Sequence, residues 1–484
     1  LFAQSSVAFA EEFPTPDEVS ESQKKDVMCA LILDSDDKKL SEHVFCDPRH
    51  KGLVCNYGIN FPKKVCNSPD KVWYQKSIDE AAQIYSRNSN IKPKIKLSAG
   101  TMKIQYLFSA HWPYGDYIGI HLKEGVGLEG HSYGKYNSYI RLTPFKLKSF
   151  ASNKVVSSSD KIRALILVAK NKIYQNPNET VLTETSNNSI KNIYLSGHSG
   201  GDIGCRDIND EEVRVGSAIF AAGVTDLKLY NINAFHFTGN IFEIGAFLPW
   251  VKEDSACNGI ECIGKRMWVK GRDSSHPVTI KNNKLCDGNF GGIVLVGENI
   301  ELENNEIKFI KKTWDINKSG YGLTMGISAS FAGTQNIKIV NNDIEGGDYG
   351  IGSDGSFPLA VTVQLFNEYS EQIVNALGQE TMLKYPNGIA TQDRILLEGL
   401  DFVRGQQVLF NIASKNAVDK NIETGFGSNI FLSYNKVKDA VTGISLYRMK
   451  NSVIGNNKIE SNDKGFVGIG IYDTYDTALY LNSI

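Results

Sequence analysis

Asn282-Asn283-Lys284-Leu285, Asn304-Asn305-Glu306-Ile307, Asn341-Asn342-Asp343-Ile344, Tyr434-Asn435-Lys436-Val437 and Asn456-Asn457-Lys458-Ile459 are five returns of one phrase. Two pairs lie 22 residues apart, Asn283 to Asn305 and Asn435 to Asn457, and a fixed period of that length marks a stacked-repeat fold. Asparagine tolerates the left-handed backbone of a sharp corner, and the aliphatic residue two positions on points into a core. Stacked coils would align the asparagines in a ladder that satisfies amides otherwise buried without partners.

A chain of 484 residues suggests about three ordinary domains by length alone, but a solenoid absorbs several hundred residues into one continuous core. Its 52 basic and 54 acidic residues nearly cancel, which argues against a general polyanion binder and so against nucleic acid as partner. No stretch reaches the roughly 18 apolar residues of a membrane span.

Residues 1–10 read LFAQSSVAFA before Glu11-Glu12, so Ala8-Phe9-Ala10 is expected to be the end of an export signal, placing the protein outside the cell or in a periplasm. Eight cysteines agree with export. Cys29, Cys46, Cys55 and Cys66 crowd a loop-rich head over 11–70, where one or two disulfides are expected with connectivity open. A bridge between Cys257 and Cys262 is also expected, while Cys205 and Cys286 stand apart. The chain ends in a strand-like run, Tyr480-Leu481-Asn482-Ser483-Ile484, and is expected to continue into further coils.

Ser77 to Arg87 has the pattern of an amphipathic helix, with Ser77 as N-cap and Glu80 in the capping-box position. Lys94 to Leu97 is expected as a strand, and Gly119 to Gly130 as strand, turn and strand. This order, with Lys96-Leu97-Ser98-Ala99-Gly100-Thr101 and Gly125-Val126-Gly127-Leu128-Glu129-Gly130, resembles the opening of right-handed parallel β-helix proteins of the pectate-lyase-like class. The resemblance covers most of 71–484 and implies an all-β right-handed parallel solenoid with an N-terminal capping helix beneath a Cys-containing head. It carries no family-specific catalytic signature. Leu128 to Gly134 and Leu195 to Gly201 share L-x-G-H-S-x-G and read as equivalent corners of two coils, with a helical insertion near 160–174 between them.

Gly216-Ser217-Ala218-Ile219, Gly291-Gly292-Ile293, Gly326-Ile327, Gly350-Ile351, Gly388-Ile389, Gly443-Ile444 and Gly468-Ile469 each open a short strand with the isoleucine inward. On that register Glu243, Val294, Ser328, Asp354, Asp393, Tyr447 and Tyr472 share one outer face. Relatives of this architecture bind extended polysaccharides along such a face or its adjoining groove.

Insertions at about 248–277 and 366–386 break the period, and insertions on a solenoid emerge on one side. The first holds Trp250, Lys265, Arg266, Trp268, Lys270, Arg272 and His276. Cations interleaved with tryptophan suit an acidic sugar, the cation meeting the carboxylate and the indole covering a pyranose face. The preferred reading is β-elimination or C5-epimerisation of a uronate polymer. Lys270 is then the base, Arg272 and Arg266 the carboxylate ligands and His276 the proton donor, with His236, Glu243 and Asp354 bordering the substrate. A solvated loop pinned by a disulfide is the plainer reading of the same segment.

Asp202 and Asp207 head an acidic loop that suits Ca2+. A hydrolase of polygalacturonase type would use paired carboxylates instead, yet Gly197-His198-Ser199 matches that class's G-H-G only in part and no R-I-K follows. The third alternative is a noncatalytic glycan-binding β-helix, as in adhesins and tail fibres, for which Ser328, Ser445, Tyr447 and Tyr472 offer a partial platform. Monomer and homotrimer are both left open.

Overall fold

The computed structural model describes residues 28–48, 52, 54–57, 63–112, 115–133, 136–142, 148–149, 162–169, 185–198, 205, 215–245, 268–310, 324–330, 333–354, 427–462, 466–472 and 474–484. Within them the chain winds as a right-handed parallel β-helix with three faces, the hand that twisted strands impose on parallel crossovers. One coil illustrates the path. Gly291–Leu295 lies on the first face, Gly297–Glu303 bends at Asn299 onto the second, and Glu306–Lys308 forms the third.

Parallel register stacks like on like. The first face carries the column Ile166, Ile219, Phe242, Ile293, Ile327, Ile351 and Ile444, and the second runs from Ile95 through Leu128, Ile190, Leu229, Ile280, Leu302, Ile339 and Leu432 to Ile454. On the third face Leu285, Ile307, Ile344, Val437 and Ile459 align. All of these are buried. Burial of such side chains is worth about 1.5–3 kcal/mol each, the main term holding the coils together.

The glycine of each Gly-Ile pair has a steric cause. A Cβ on Gly292, Gly326, Gly350 or Gly443 would come under 3.0 Å from the neighbouring coil's glycine carbonyl and from Ile307, Ile344, Val437 or Ile459 of the third face. Bulk on one face thus excludes it from another.

At the second-to-third corner Asn282, Asn304, Asn341, Tyr434 and Asn456 all have φ between 55° and 58°. The following asparagines form the expected ladder, extended by Asn482. Each Nδ2 donates to the next Oδ1, at 2.8 Å from Asn283 to Asn305, 2.9 Å on to Asn342, and 3.0 Å in each step through Asn435, Asn457 and Asn482. Each Oδ1 also accepts the backbone N–H one coil earlier. A second, exposed ladder climbs the first-to-second corner, where Asn336 donates to Asn299 and Asn429 to Asn336.

The cap differs in detail from the sequence expectation. The helix spans Trp73–Arg87, four residues longer at its start, with Val72 at the N-cap. Ser77 is a buried interior residue whose hydroxyl donates to the Tyr74 carbonyl, because Trp73, Tyr74 and Ile78 supply the apolar contact that fixes the first turn. Gln75 closes the open coil end like a strand, donating to the His121 carbonyl and accepting its N–H.

In the head, Cys29–Leu33 pairs antiparallel with Phe45–Cys46 and with Lys94–Leu97, which covers an otherwise open sheet edge. Cys29–Cys55 and Cys46–Cys66 are its two disulfides. Cys205 and Cys286 do not stand apart but form a third. The expected helical insertion near 160–174 is overturned over its described part, since Ile162–Val168 is a first-face strand. The two L-x-G-H-S-x-G corners are not equivalent either. Leu128 pairs with Ile190, and Leu195 with Ile140. The signal remnant, the Cys257–Cys262 bridge and the 366–386 insertion lie outside the described residues.

Glu129 is a buried carboxylate ringed by Lys96 at 2.5 Å, Lys191 at 2.9 Å and Lys94 at 3.4 Å. Burial works against its charge, but the hydrogen bonds and charge of Lys96, then Lys191, outweigh it and hold the carboxyl down to about 2.

Asn342→Ala should cost about 2–4 kcal/mol in urea unfolding, since it strips partners from Asn305 and Asn435 inside the core, whereas Asn336→Ala on the exposed ladder should cost under about 1 kcal/mol. Because the Glu129 carboxyl is depressed on folding, its contribution, of order 2 kcal/mol after screening, is complete above its ordinary value near 4.5 and lost as pH falls from there to about 2. The stability gap between wild type and Glu129→Gln should shrink over that window.

Candidate functional site

Lys270, Arg272 and His276 do share one place, the first-to-second corner after the strand Asn240–Ile244, where Lys270 pairs between Thr225 and Glu298. Their charges are answered locally. Arg272 binds Asp226 at 2.6 Å. His276 closes a tight turn in which one Asp273 carboxylate oxygen accepts from the Ser275 and His276 backbones at 2.8 and 2.9 Å, from the Ser275 hydroxyl at 2.6 Å and from the imidazole at 3.0 Å. The Ser275 hydroxyl and the His276 ring hold the Asp273 carboxyl well below the usual carboxylate range.

Trp268 is 1% exposed, so its indole serves the scaffold and presents no surface to a pyranose. Trp250, Lys265, Arg266, Asp202 and Asp207 lie outside the described residues. Cys205, between the two aspartates, is tied to Cys286 against a cluster of Tyr139, Tyr194 and Phe235. Among the described residues no group of three or more His, Cys, Asp or Glu is arranged to hold a metal, and Asp348 caps a turn, accepting the Thr324 N–H at 2.9 Å.

His236 and Glu243 do not border the Lys270 corner together. His236 sits at the third-to-first corner, fully buried, with φ 59° and its Nδ1 3.1 Å from Asp287. The His198 ring stands edge-on at 6.1 Å. A whole first-face strand separates this histidine from Lys270. Glu243 does face outward, but it is 9% exposed and ion-paired with Arg163, whose guanidinium lies 4.6 Å from the Phe220 ring centroid.

The outer face resolves into two rows where the sequence suggested one. Glu243, Val294, Ser328, Gly352, Ser445 and Gly470 align, and two residues further along each strand Ser330, Asp354, Tyr447 and Tyr472 align. A shift of two residues keeps the same face, which is why the side was read correctly and the row was not. A further row, Met325, Tyr349, Thr442 and Val467, opens the same four strands.

Together these strands, Met325–Ser330, Tyr349–Asp354, Thr442–Tyr447 and Val467–Tyr472, carry phenols, hydroxyls and glycine in their outer rows. Gly352 and Gly470 leave the room in which the Met325 sulfur and the Tyr472 ring lie along the sheet. Ser328 and Ser330 hydroxyls bond each other. Tyr472 is 54% exposed. Burial, then the charges of Tyr472 and Asp348, push the Tyr349 phenol up. Tyr349 was missed in the sequence, although it directly precedes Gly350-Ile351, the outward position before each such pair.

No protein-family model matches the chain, and neither does any curated protein. Among solved structures it is similar to the mannuronan C-5 epimerase AlgE4 A-module of Azotobacter vinelandii, at 14% identity over 85% of this chain and 92% of that one with a TM-score of 0.34. It is also similar to PfbA, a surface adhesin of Streptococcus pneumoniae, at 11% identity over 85% of each chain with a TM-score of 0.42. A third likeness is to the tailspike protein of E. coli bacteriophage HK620, at 10% identity over 91% of this chain and 62% of that one, TM-score 0.42.

Trp268→Ala should lower stability by about 3–5 kcal/mol, the cost of a core tryptophan, with the loss visible in thermal unfolding. Arg272→Ala, whose side chain is 60% exposed, should change it by less than about 1 kcal/mol.

Proposed function

We propose that this protein binds an extended glycan across the outer first face of its C-terminal coils. The observation that carries the reading is that Tyr447 and Tyr472 align in one outer row of these strands, with Ser445 two positions before Tyr447, Tyr349 and Thr442 opening the same strands, and Tyr472 54% exposed. A phenol ring gives a flat apolar face with a polar tip, which matches a pyranose with its C–H face and rim of hydroxyls. Serine and threonine hydroxyls both donate and accept, so they pair with sugar hydroxyls in either sense. Three disulfides fit an oxidising compartment outside the cytosol, where such polymers are met.

The second reading is elimination or C5-epimerisation of a uronate polymer. Its support is that Lys270, Arg272 and His276 fall on one corner at the edge of the same face. Against it stand the carboxylate partners of Arg272 and His276, which already neutralise the cations such chemistry needs.

The two readings separate in one experiment. Neutral and uronate polymers are titrated calorimetrically against the wild type, Tyr472→Ala and the double variant Lys270→Ala with Arg272→Ala, and the same mixtures are assayed for unsaturated products and for deuterium uptake at C5. Binding without turnover is expected, with Tyr472→Ala weakening affinity about tenfold, roughly the worth of one aromatic contact. Unsaturated product or deuterium uptake that disappears in the double variant would overturn this in favour of the enzyme.

A further inference from the structure

Three consecutive positions of one outer row of the first face form a slot. Gly352, Ser445 and Gly470 are register partners on adjacent strands, and over each glycine lies a side chain rooted elsewhere. The Met325 sulfur stands 3.2 Å from where a Cβ on Gly352 would be, and the edge of the Tyr472 ring 2.8 Å from where one on Gly470 would be. A larger residue at either glycine would displace them. The two glycines therefore set a sulfur on one side of Ser445 and a phenol ring on the other.

Strands about 4.8 Å apart place the sulfur and the ring roughly 9.6 Å from each other across Ser445. Subtracting two van der Waals radii of about 1.8 Å leaves a clear width of roughly 6 Å. The slot is open to solvent, with Met325 and Ser445 half-buried and Tyr472 exposed. Its floor is a hydroxyl with capacity to spare. Ser328 and Ser330 bond each other and Ser353 donates to the Ala329 carbonyl, whereas among the described residues no hydrogen bond engages the Ser445 hydroxyl.

We propose that this slot receives the acetamido group of an N-acetylated sugar, a reading that rests on the glycan proposal above and narrows its ligand class. The methyl lies between the Met325 sulfur and the Tyr472 ring, both suited to apolar contact. The amide meets the Ser445 hydroxyl, which donates to its carbonyl or accepts its N–H. Other substituents leave part of the slot unanswered. A plain hydroxyl brings nothing to fill the walls, and a 6-deoxy methyl covers the Ser445 hydroxyl without giving it a partner. A carboxylate gives up its water between a sulfur and a ring for a single hydroxyl in exchange.

Matched oligosaccharide pairs, each backbone carrying either a hydroxyl or an acetamido group at the same carbon, test this by calorimetric titration, while saturation-transfer NMR reads which ligand protons touch the protein. The acetamido member should bind about tenfold tighter, the combined worth of one buried methyl and one hydrogen bond, and its methyl protons should receive the strongest saturation. Ser445→Val and Met325→Ala should each cut that preference about threefold, half of it on the free-energy scale, with thermal unfolding verifying that both variants are folded. Equal affinity within the pairs, with Tyr472→Ala still weakening both members, would overturn the acetamido slot and leave the glycan reading standing. A preference that neither variant moves would overturn the slot as well. Absence of binding to every member would overturn both readings.

Discussion

A polar group cannot be buried without a partner, and the second-to-third corner buries one amide per coil. The ladder from Asn283 to Asn482 meets that demand in both directions. From Asn305 onward each side-chain oxygen takes two N–H groups from the coil before, and up to Asn457 each side-chain nitrogen gives one hydrogen to the next rung and another to a main-chain carbonyl such as Leu229, Ile280 or Leu302. Removing an interior rung strands groups on two others, so the column acts as a unit. The left-handed turn itself is a separate requirement. Tyr434 adopts φ 58° where the other coils have asparagine, which shows that the backbone shape is demanded at one position and the amide at the next.

This separation explains how the solenoid tolerates unequal coils. Successive rungs are 22, 37, 93, 22 and 25 residues apart in sequence, yet adjacent in space at the same hydrogen-bond distance. Extra chain enters only where the two corner ladders and the inward columns are not interrupted. Loop length costs little entropy once the ends are fixed, so the ladder sets the register and the insertions leave it unchanged.

What could be read from sequence was what repeats. The asparagine corners, the inward isoleucines and the strand sides all follow from local pattern, and Gly-Ile followed from a pattern whose cause, the third-face aliphatics, became visible only in three dimensions. Pairings without a repeat were illegible. Cys205 and Cys286 are 81 residues apart and share no motif, and the matching words around His131 and His198 belong to different corners. Trp268 looked like a sugar platform because burial is not encoded in the neighbours of a single tryptophan. At the candidate surface the side of the sheet was legible from alternation, whereas the row was not, since positions two apart are equivalent in that period and only register across coils distinguishes them.

The distribution of charge then narrows where a ligand can act. On the second and third faces, outward lysines and carboxylates answer one another across coils: Lys281 binds Glu301 at 3.0 Å and Glu303 at 2.7 Å, Lys308 binds Glu345 at 2.9 Å, and Lys436 binds Asp343 at 3.2 Å. Such exposed pairs add little stability individually, but a ligand competing for them must first break them. Among the described residues the last four strands of the first face carry no such ladder. Their outer rows hold hydroxyls, phenols and the glycines that let a side chain lie flat, with the Ser328 and Ser330 hydroxyls bonded to each other. A solenoid's core columns are nearly invariant from coil to coil, so whatever distinguishes one coil from the next has to be written on an outer row.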